Sequence, residues 1–383
     1  MMMYLTALNL SRKLNIPSSQ IRNVHIPLFE IESSDFSMEN LNGIYDREKN
    51  NSSLCGLFPI NGYTRLIKSS RPDFINLEGF YQNINNFPLS SEINYASIFP
   101  ENSRNTDHGG DDDIVINIRG GEVLNAIHPH YTLIPSEFYA HIIEKTGKNP
   151  IFYGQLDDTP YLTELKEKFP HATFIASRGI KEDFDYIRKS SFIIPAISTF
   201  SWMAAWLSNA KKIFFPIAGI FSPQQHPSSM LLPLNDNRYE FYIFPIYFCQ
   251  PVNKYKDYID PVRNNWQFIS KNKLSRLFEN KPSTLGDEID FFVPEEYIEM
   301  YPDLKGAYNE FGKKYLINHF CDYGFYEGRK PLHLDEVFYS TIYPNAALEV
   351  ALGNYKSLLE YYIKTGFSSG HYRNRKQIIC SDL

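Results

Sequence analysis

Three small groups of residues have the types and spacing for chemistry on a phosphorylated substrate. Arg119, Gly120, Gly121 and Glu122 follow the apolar run "IVINI". A guanidinium offers a planar fork of donors to phosphate oxygens, and paired glycines let a backbone come close to a ligand. Ser198, Thr199, Phe200 and Ser201 follow a second apolar run, "FIIPAI", and open a stretch with helical spacing. Hydroxyls at a helix N-terminus, where backbone N–H groups are free, suit an anion. The third group is His128, His130 and Glu122, close to Arg119 in sequence and able to act as a base. His130 is preferred, then Glu122, then His128, because an ordinary imidazole titrates near neutrality. Asp111, Asp112 and Asp113 precede their strand, whereas ligand groups gather at strand carboxyl ends. They read as a solvated cap, and no metal is expected.

These groups need a frame, and the pattern around them supplies one. "IVINI", "NPIFYG", "ATFIAS", "FIIPAI" and "KIFFPI" read as buried strands. Between them "PSEFYAHIIEKTG", "YLTELKEKF" and "KEDFDYIRKS" read as helices, the first with Pro135 near its start and Gly147 at its end. Strands alternating with helices predict an α/β fold with a parallel, Rossmann-like sheet and right-handed crossovers. The uncharged stretch between Lys189 and Lys211 has roughly the length of a membrane span. Its serines, Thr199, Asn209 and the internal Pro195 assign it instead to strand, turn and helix. Residues 1–112 are less regular, with an amphipathic helix near the start. Residues 287–376 hold two similar helical stretches, each with a Tyr-Pro and then a Gly-Phe signature, "DYGFYEG" and "KTGFSSG". The expected domains are 1–112, 113–286 and 287–376, the last a small α-helical repeat module.

Bulk composition bounds the function. The 383 residues carry a net charge of -6, which argues against nucleic acid as a partner. The four cysteines, Cys55, Cys249, Cys321 and Cys380, are too scattered for a ligand pair and suggest a reducing compartment. The N-terminus lacks a basic n-region and a cleavage site, so a cytoplasmic protein is expected.

Several of these segments together resemble a known family. "IVINIRGGE" resembles the H-x-R-R-G-D motif of the bacterial α1,2-fucosyltransferase family, with Asn117, Gly120 and Glu122 standing where that family has His, Arg and Asp. "EDFDYIRKSSFIIPAISTFSWMAAWLSNAKKIFFP" is similar to its second block, "MYLTALNLSRKLN" to its first helix and "LEGFYQNINNFP" to its G-Y-x-Q segment. The resemblance implies a GT-B-like enzyme of two domains, residues 1–112 facing the acceptor, that moves fucose from GDP-fucose to a glycan with inversion and without metal. It implies that Arg119 binds the donor diphosphate with Gly120 and Gly121. Ser198, Thr199 and Ser201 would present hydroxyls and N–H groups to it. Asp183 would hold the nucleotide or its helix, and Phe200 would pack near the base. The expected partners are a nucleotide-sugar donor, a glycan acceptor and a glycan-assembly complex at the inner membrane, with self-association through the C-terminal repeats. The alternatives are another nucleotide sugar, or a non-catalytic scaffold that keeps the fold.

Overall fold

The computed structural model describes residues 1–39, 41, 43–47, 60, 64, 67, 68, 70–89, 92, 94–98, 107–121, 123–125, 128–227, 229–277, 291–325 and 327–381. Glu122 and the expected domain boundary near 286 lie outside the described residues. The N-terminal part holds α1 (Met2–Leu14), the short pair β1 (His25–Ile26) and β2 (Ile31–Glu32), and the parallel pair β3 (Gly43–Arg47) and β4 (Phe74–Glu78). The central part runs β5 (Asp113–Arg119), α2 (Ser136–Thr146), β6 (Asn149–Gln155), α3 (Pro160–Lys168), β7 (Thr173–Ala176), α4 (Ile180–Lys189), β8 (Phe192–Ile194) and α5 (Thr199–Trp206). It continues through β9 (Lys212–Ile217), β10 (Tyr239–Ile243), β11 (Gln267–Ile269) and α6 (Lys271–Arg276).

The strands from β5 to β11 form one seven-stranded sheet in the order β11-β10-β9-β8-β5-β6-β7. All neighbours are parallel except the β10–β11 pair. The order therefore runs outward in one direction from β5 to β7 and then reverses, from β8 to β10. This is the Rossmann-like arrangement, whose ligand crevice opens where the order reverses. Right-handed crossovers put α2 and α3 on one face and α4 and α5 on the other, and each pair packs together.

Burial explains the sequence pattern. Ile114, Val115, Ile116, Ile193 and Ile194 are each 0% exposed, so these strands are covered on both faces and read as continuous apolar runs. Helix α2 follows Pro135 and ends at Gly147, whose φ of 63° is left-handed. The α4–α5 face is covered by N-terminal residues: Phe29 meets Phe184 edge-on at 5.1 Å, and Phe87 lies 6.4 Å from Trp202. Met2, Leu5, Tyr81 and Phe87 thus belong to the same core as the sheet, while Leu10, Ile60 and Ile67 form a small cluster of their own.

The C-terminal part contains α7 (Pro294–Met300), α8 (Lys305–Phe311), α9 (Lys313–His319), α10 (Glu336–Ile342), α11 (Pro344–Ala351) and α12 (Leu358–Tyr361). The same bonds recur in it at one constant offset. Lys330 N donates to Tyr301 Oη at 2.8 Å, as Tyr372 N does to Tyr343 Oη at 2.9 Å. Val293 N donates to Pro331 O at 2.9 Å, as Asp335 N does to Arg373 O at 3.1 Å. A wide turn closes each half, with Phe325 N on Phe320 O at 2.8 Å and Phe367 N on Tyr362 O at 2.7 Å. A Cβ on Gly324 or Gly366 would lie 2.2 Å from the hydroxyl of Tyr297 or Tyr339 respectively, which accounts for the glycine in both signatures. Among the described residues no helix is long and apolar enough to cross a membrane.

A charged cluster closes the α2–α3 face. Arg263 Nη2 meets Glu164 Oε2 at 2.6 Å and its Nη1 meets Glu137 Oε2 at 2.8 Å. Burial pushes the Glu164 pKa up, but hydrogen bonds from Arg263, Ser136 and Tyr255 and the Arg263 charge outweigh it and bring it down to about 2. A depressed carboxyl stabilises the fold fully above its unfolded value, near 4.3, and loses that contribution as pH falls toward its folded value. Arg263→Met is therefore expected to lower stability at neutral pH by on the order of 2 kcal/mol, allowing for partial exposure of the cluster. Urea unfolding at neutral pH and at several pH values below 4.3 checks this. The deficit against wild type should shrink as pH falls toward about 2, and a constant deficit contradicts the assignment.

Candidate functional site at the strand-order reversal

Strand β5 ends at Arg119, and its neighbour β8 leads directly into α5. The two meet: Arg119 Nη1 donates to Ser198 Oγ at 2.9 Å. Ser198 is the N-cap of α5 and accepts from Phe200 N at 3.3 Å. One turn further, Ser201 Oγ donates to Asn117 Oδ1, and Asn117 Nδ2 donates to Tyr153 O at 3.0 Å. Asn117 and Arg119 are two apart on a strand and share a face. Together they fasten the first turn of α5 over the point where strand order reverses.

The arrangement continues through aromatic contacts. The Arg119 guanidinium lies 5.1 Å from the centre of the Tyr131 ring. Burial lowers its pKa, and Tyr131 acts in the opposite direction. Tyr131 meets His128 at 5.3 Å; His128 meets His130 at 5.3 Å; His130 meets His226 at 5.1 Å. The His130 carbonyl accepts from Ile220 N at 3.0 Å, so this loop is seated on the turn that follows β9. Gly219 makes that seat possible. Its φ is +53°, and a Cβ there would lie 2.0 Å from the His130 carbonyl oxygen.

Burial, then the neighbouring His226 and His128, push the His130 pKa down to about 4. Its Nδ1 is buried without a hydrogen-bond partner. The near-neutral titration expected for His130 is thus absent. The ring is neutral at pH 7 and able to accept a proton, but a base so weak drives proton transfer poorly. His128 is more exposed, and burial lowers its pKa too. The three imidazoles touch as rings; among the described residues no group of His, Cys, Asp or Glu is placed to hold a metal ion.

Other expected site residues are placed differently. A Cβ on Gly121 would lie 2.1 Å from the Asp157 carboxylate, while one on Gly120 would meet the Gln155 carbonyl at 3.4 Å. The loop after β6 thus approaches Gly121 most closely. Asp183 accepts from Tyr153 Oη at 2.6 Å, Arg178 N at 2.8 Å and Ser177 Oγ. It ties the start of α4 to β6 and to the loop after β7. Thr199 is half-buried in the first turn of α5, and the Phe200 ring packs against Phe184 at 5.5 Å. Asp111 pairs with Lys211 at 2.6 Å and accepts from Ser191 Oγ at 2.8 Å, at the amino edge of the sheet as a cap would. Beneath Arg119 a cavity of about 10 Å³ is lined by Asn117, Tyr139, Tyr161 and Ala196, room for about one water molecule.

No family model, curated protein or solved structure matches the chain.

Its site is therefore read from geometry. The Arg119 guanidinium meets the N-terminus of α5, and ring contacts lead from it through Tyr131 to His128 and His130. That set can hold an anion and accept a proton next to it. Tyr131, Asn117 and His226 were not among the expected site residues. The two-residue spacing of Asn117 and Arg119 is a signal in the sequence; nothing in the sequence links His226 to His130.

Gly219→Ala tests the seat of the histidine loop. The left-handed backbone alone is expected to cost about 1–3 kcal/mol, and the clash with the His130 carbonyl adds to it. Thermal unfolding should show the loss. NMR titration of the histidine rings should show the His130 pKa move up from about 4 toward its ordinary value as the loop lifts. A variant with wild-type stability and an unmoved His130 titration contradicts this account.

Proposed function

We propose that the protein is an inverting, metal-independent glycosyltransferase of GT-B-like organisation. It moves fucose from GDP-fucose to a glycan acceptor of the bacterial surface, acting in the cytoplasm at the inner membrane. One observation carries this reading: Arg119 and the Ser198 N-cap of α5 meet across the strand-order reversal, where Rossmann-like sheets bind phosphorylated ligands. The donor diphosphate would replace Ser198 as the partner of Arg119 and take the N–H groups of the first turn of α5. The acceptor hydroxyl oxygen would attack the sugar C1, its proton passing to His128 or His130. The C1–oxygen bond to the diphosphate breaks, and its charge stays on the leaving phosphate opposite Arg119. The two C-terminal halves are read as repeats that position the acceptor or join copies of the chain.

A second reading is favoured by a separate observation. The space beside Gly121 is taken by the Asp157 carboxylate, and the cavity under Arg119 is about 10 Å³. A chain whose crevice stays closed in this way is a scaffold that keeps the fold without turnover. Another nucleotide sugar as donor remains the alternative within the enzyme class.

A screen of nucleotide sugars, with mass-spectrometric detection of hydrolysis and transfer, separates these readings. GDP-fucose turnover without added metal supports the first; turnover of another donor changes the sugar; no binding supports the scaffold. If transfer is found, Arg119→Ala should lower its rate by about 10²–10³, the usual worth of a donor aimed at developing charge. Arg119→Lys should recover part of it, because an ammonium lacks the bidentate fork. Thr199→Val should cost less than Arg119→Ala, since the helix N–H groups stay. Wild-type turnover in Arg119→Ala removes Arg119 from the mechanism.

A further inference from the structure

A wide cavity lies at the other edge of the sheet. It encloses about 1500 Å³, more than the roughly 300–1,000 Å³ of an ordinary small-molecule pocket. Its floor is built from the segments entering β9 and β10 and the one leaving the antiparallel β11, including Asn209, Arg238 and Lys271. All of these mark the amino edge of the parallel strands, opposite Arg119. The far wall comes from the N-terminal part, through Phe87, Pro88 and Tyr95.

Amides recur in the lining. Asn85, Asn94, Asn209, Asn235, Asn237 and Asn272 all line the cavity and are exposed. Each amide offers two donors and an acceptor, a match for hydroxyl groups. The charges are engaged with the protein: Arg238 pairs with Asp236 at 2.6 Å, and Lys271 donates to Asp236 O at 2.8 Å and to Asn237 Oδ1 at 3.2 Å. Aromatic surface is present as well. Trp206 lines the cavity half-buried, stacked on Trp202 at 5.4 Å and edge-on to Tyr95 at 4.8 Å. Helices α4 and α5 end here, with terminal carbonyls capped by the protein: Trp206 O accepts from Arg238 Nη2 at 3.0 Å and Tyr186 O from Ser190 Oγ at 2.7 Å.

We propose that this cleft binds a neutral oligosaccharide. The binding is a property of the cleft itself; its role in holding an acceptor rests on the glycosyl-transfer reading. A nucleotide or a phosphorylated sugar does not suit it, because the cations are committed to protein partners.

The test uses the full chain with maltohexaose, chitohexaose and mannohexaose as neutral probes, an oligogalacturonate as the acidic control and GDP in parallel. Binding is read by calorimetry and tryptophan fluorescence. At least one neutral probe should saturate, and the exposed pair Asn209→Ala, Asn237→Ala should weaken it by about tenfold, the loss of one or two hydrogen bonds. GDP affinity should not change in that variant. Circular dichroism confirms its fold. Saturation by none of the neutral probes, preference for the acidic one, or equal affinity in the double variant overturns the proposal. A neutral probe that binds while every nucleotide sugar fails keeps the cleft and removes the transferase reading; the converse does the opposite.

Discussion

The hydrogen bond from Arg119 to Ser198 exists because strand order reverses between β5 and β8. Before the reversal the crossover helices lie on one face; after it they lie on the other. No helix therefore crosses the gap at the carboxyl edge, and the end of β5 meets the start of α5 directly. Everything built there depends on that gap. Asn117 and Arg119 can reach α5 only because β8 lies beside β5. Tyr131 can lie against Arg119, and the histidine loop can sit on Gly219, only because β9 is next in line. The buried runs of β5 and β8 hold this register; the polar residues at their ends are carried by it.

The two C-terminal halves show one backbone solution with two outer surfaces. The Tyr-Pro turn, the wide turn and the glycine under the tyrosine hydroxyl recur in each. What differs is the face turned away from those bonds. In the second half Ala346, Ala347, Val350 and Ala351 are buried in the main core, and Ile246 N donates to Ala347 O at 3.1 Å. At the matching places of the first half stand Leu304, Lys305, Tyr308 and Asn309. Leu304 joins Tyr297, Leu316 and Phe320 in a small separate core, while Lys305 and Asn309 are exposed. Small apolar side chains let one copy dock on the sheet; polar ones keep the other in solvent.

The parts of the fold legible in the sequence were those set by short-range rules. Strands covered on both faces read as apolar runs, helix α2 carried its own start and stop residues, and the glycine of each C-terminal signature marked a close approach. The site was legible in part. Arg119 and Ser198 fell where strand ends were expected, since strand and helix periods fix which residues leave the sheet. What sequence cannot state is which atom fills a space. Gly120 and Gly121 announced a close approach, but only the fold shows that the visitor is the Gln155–Asp157 loop. Asp183 looked like a ligand residue because an acid near a helix start serves either a ligand or its own chain; here it serves its chain. His226 joins His130 through loops on different strands, and no spacing encodes that.

A parallel sheet also sorts charge between its two edges. Every crossover helix runs against its strands, so the N–H ends of the helices collect at the carboxyl edge and the carbonyl ends at the amino edge. The same helix, α5, turns its N–H end toward Arg119 and Ser198 and its carbonyl end toward Arg238, which donates to Trp206 O at 3.0 Å. That helix is anchored at its start by Ser198 and Ser201 and at its end by Trp202 and Trp206, which stack on each other and pack against Phe87. Its position cannot be adjusted for one edge without moving the other. Sequence at both ends is thereby constrained at once: hydroxyls and the Arg119 guanidinium meet the start of the helix, and the Arg238 guanidinium, amides and aromatic rings meet its end. On the two proposals made above, the anionic donor would sit at the reversal and the neutral glycan at the far edge, on the two ends of a single helix.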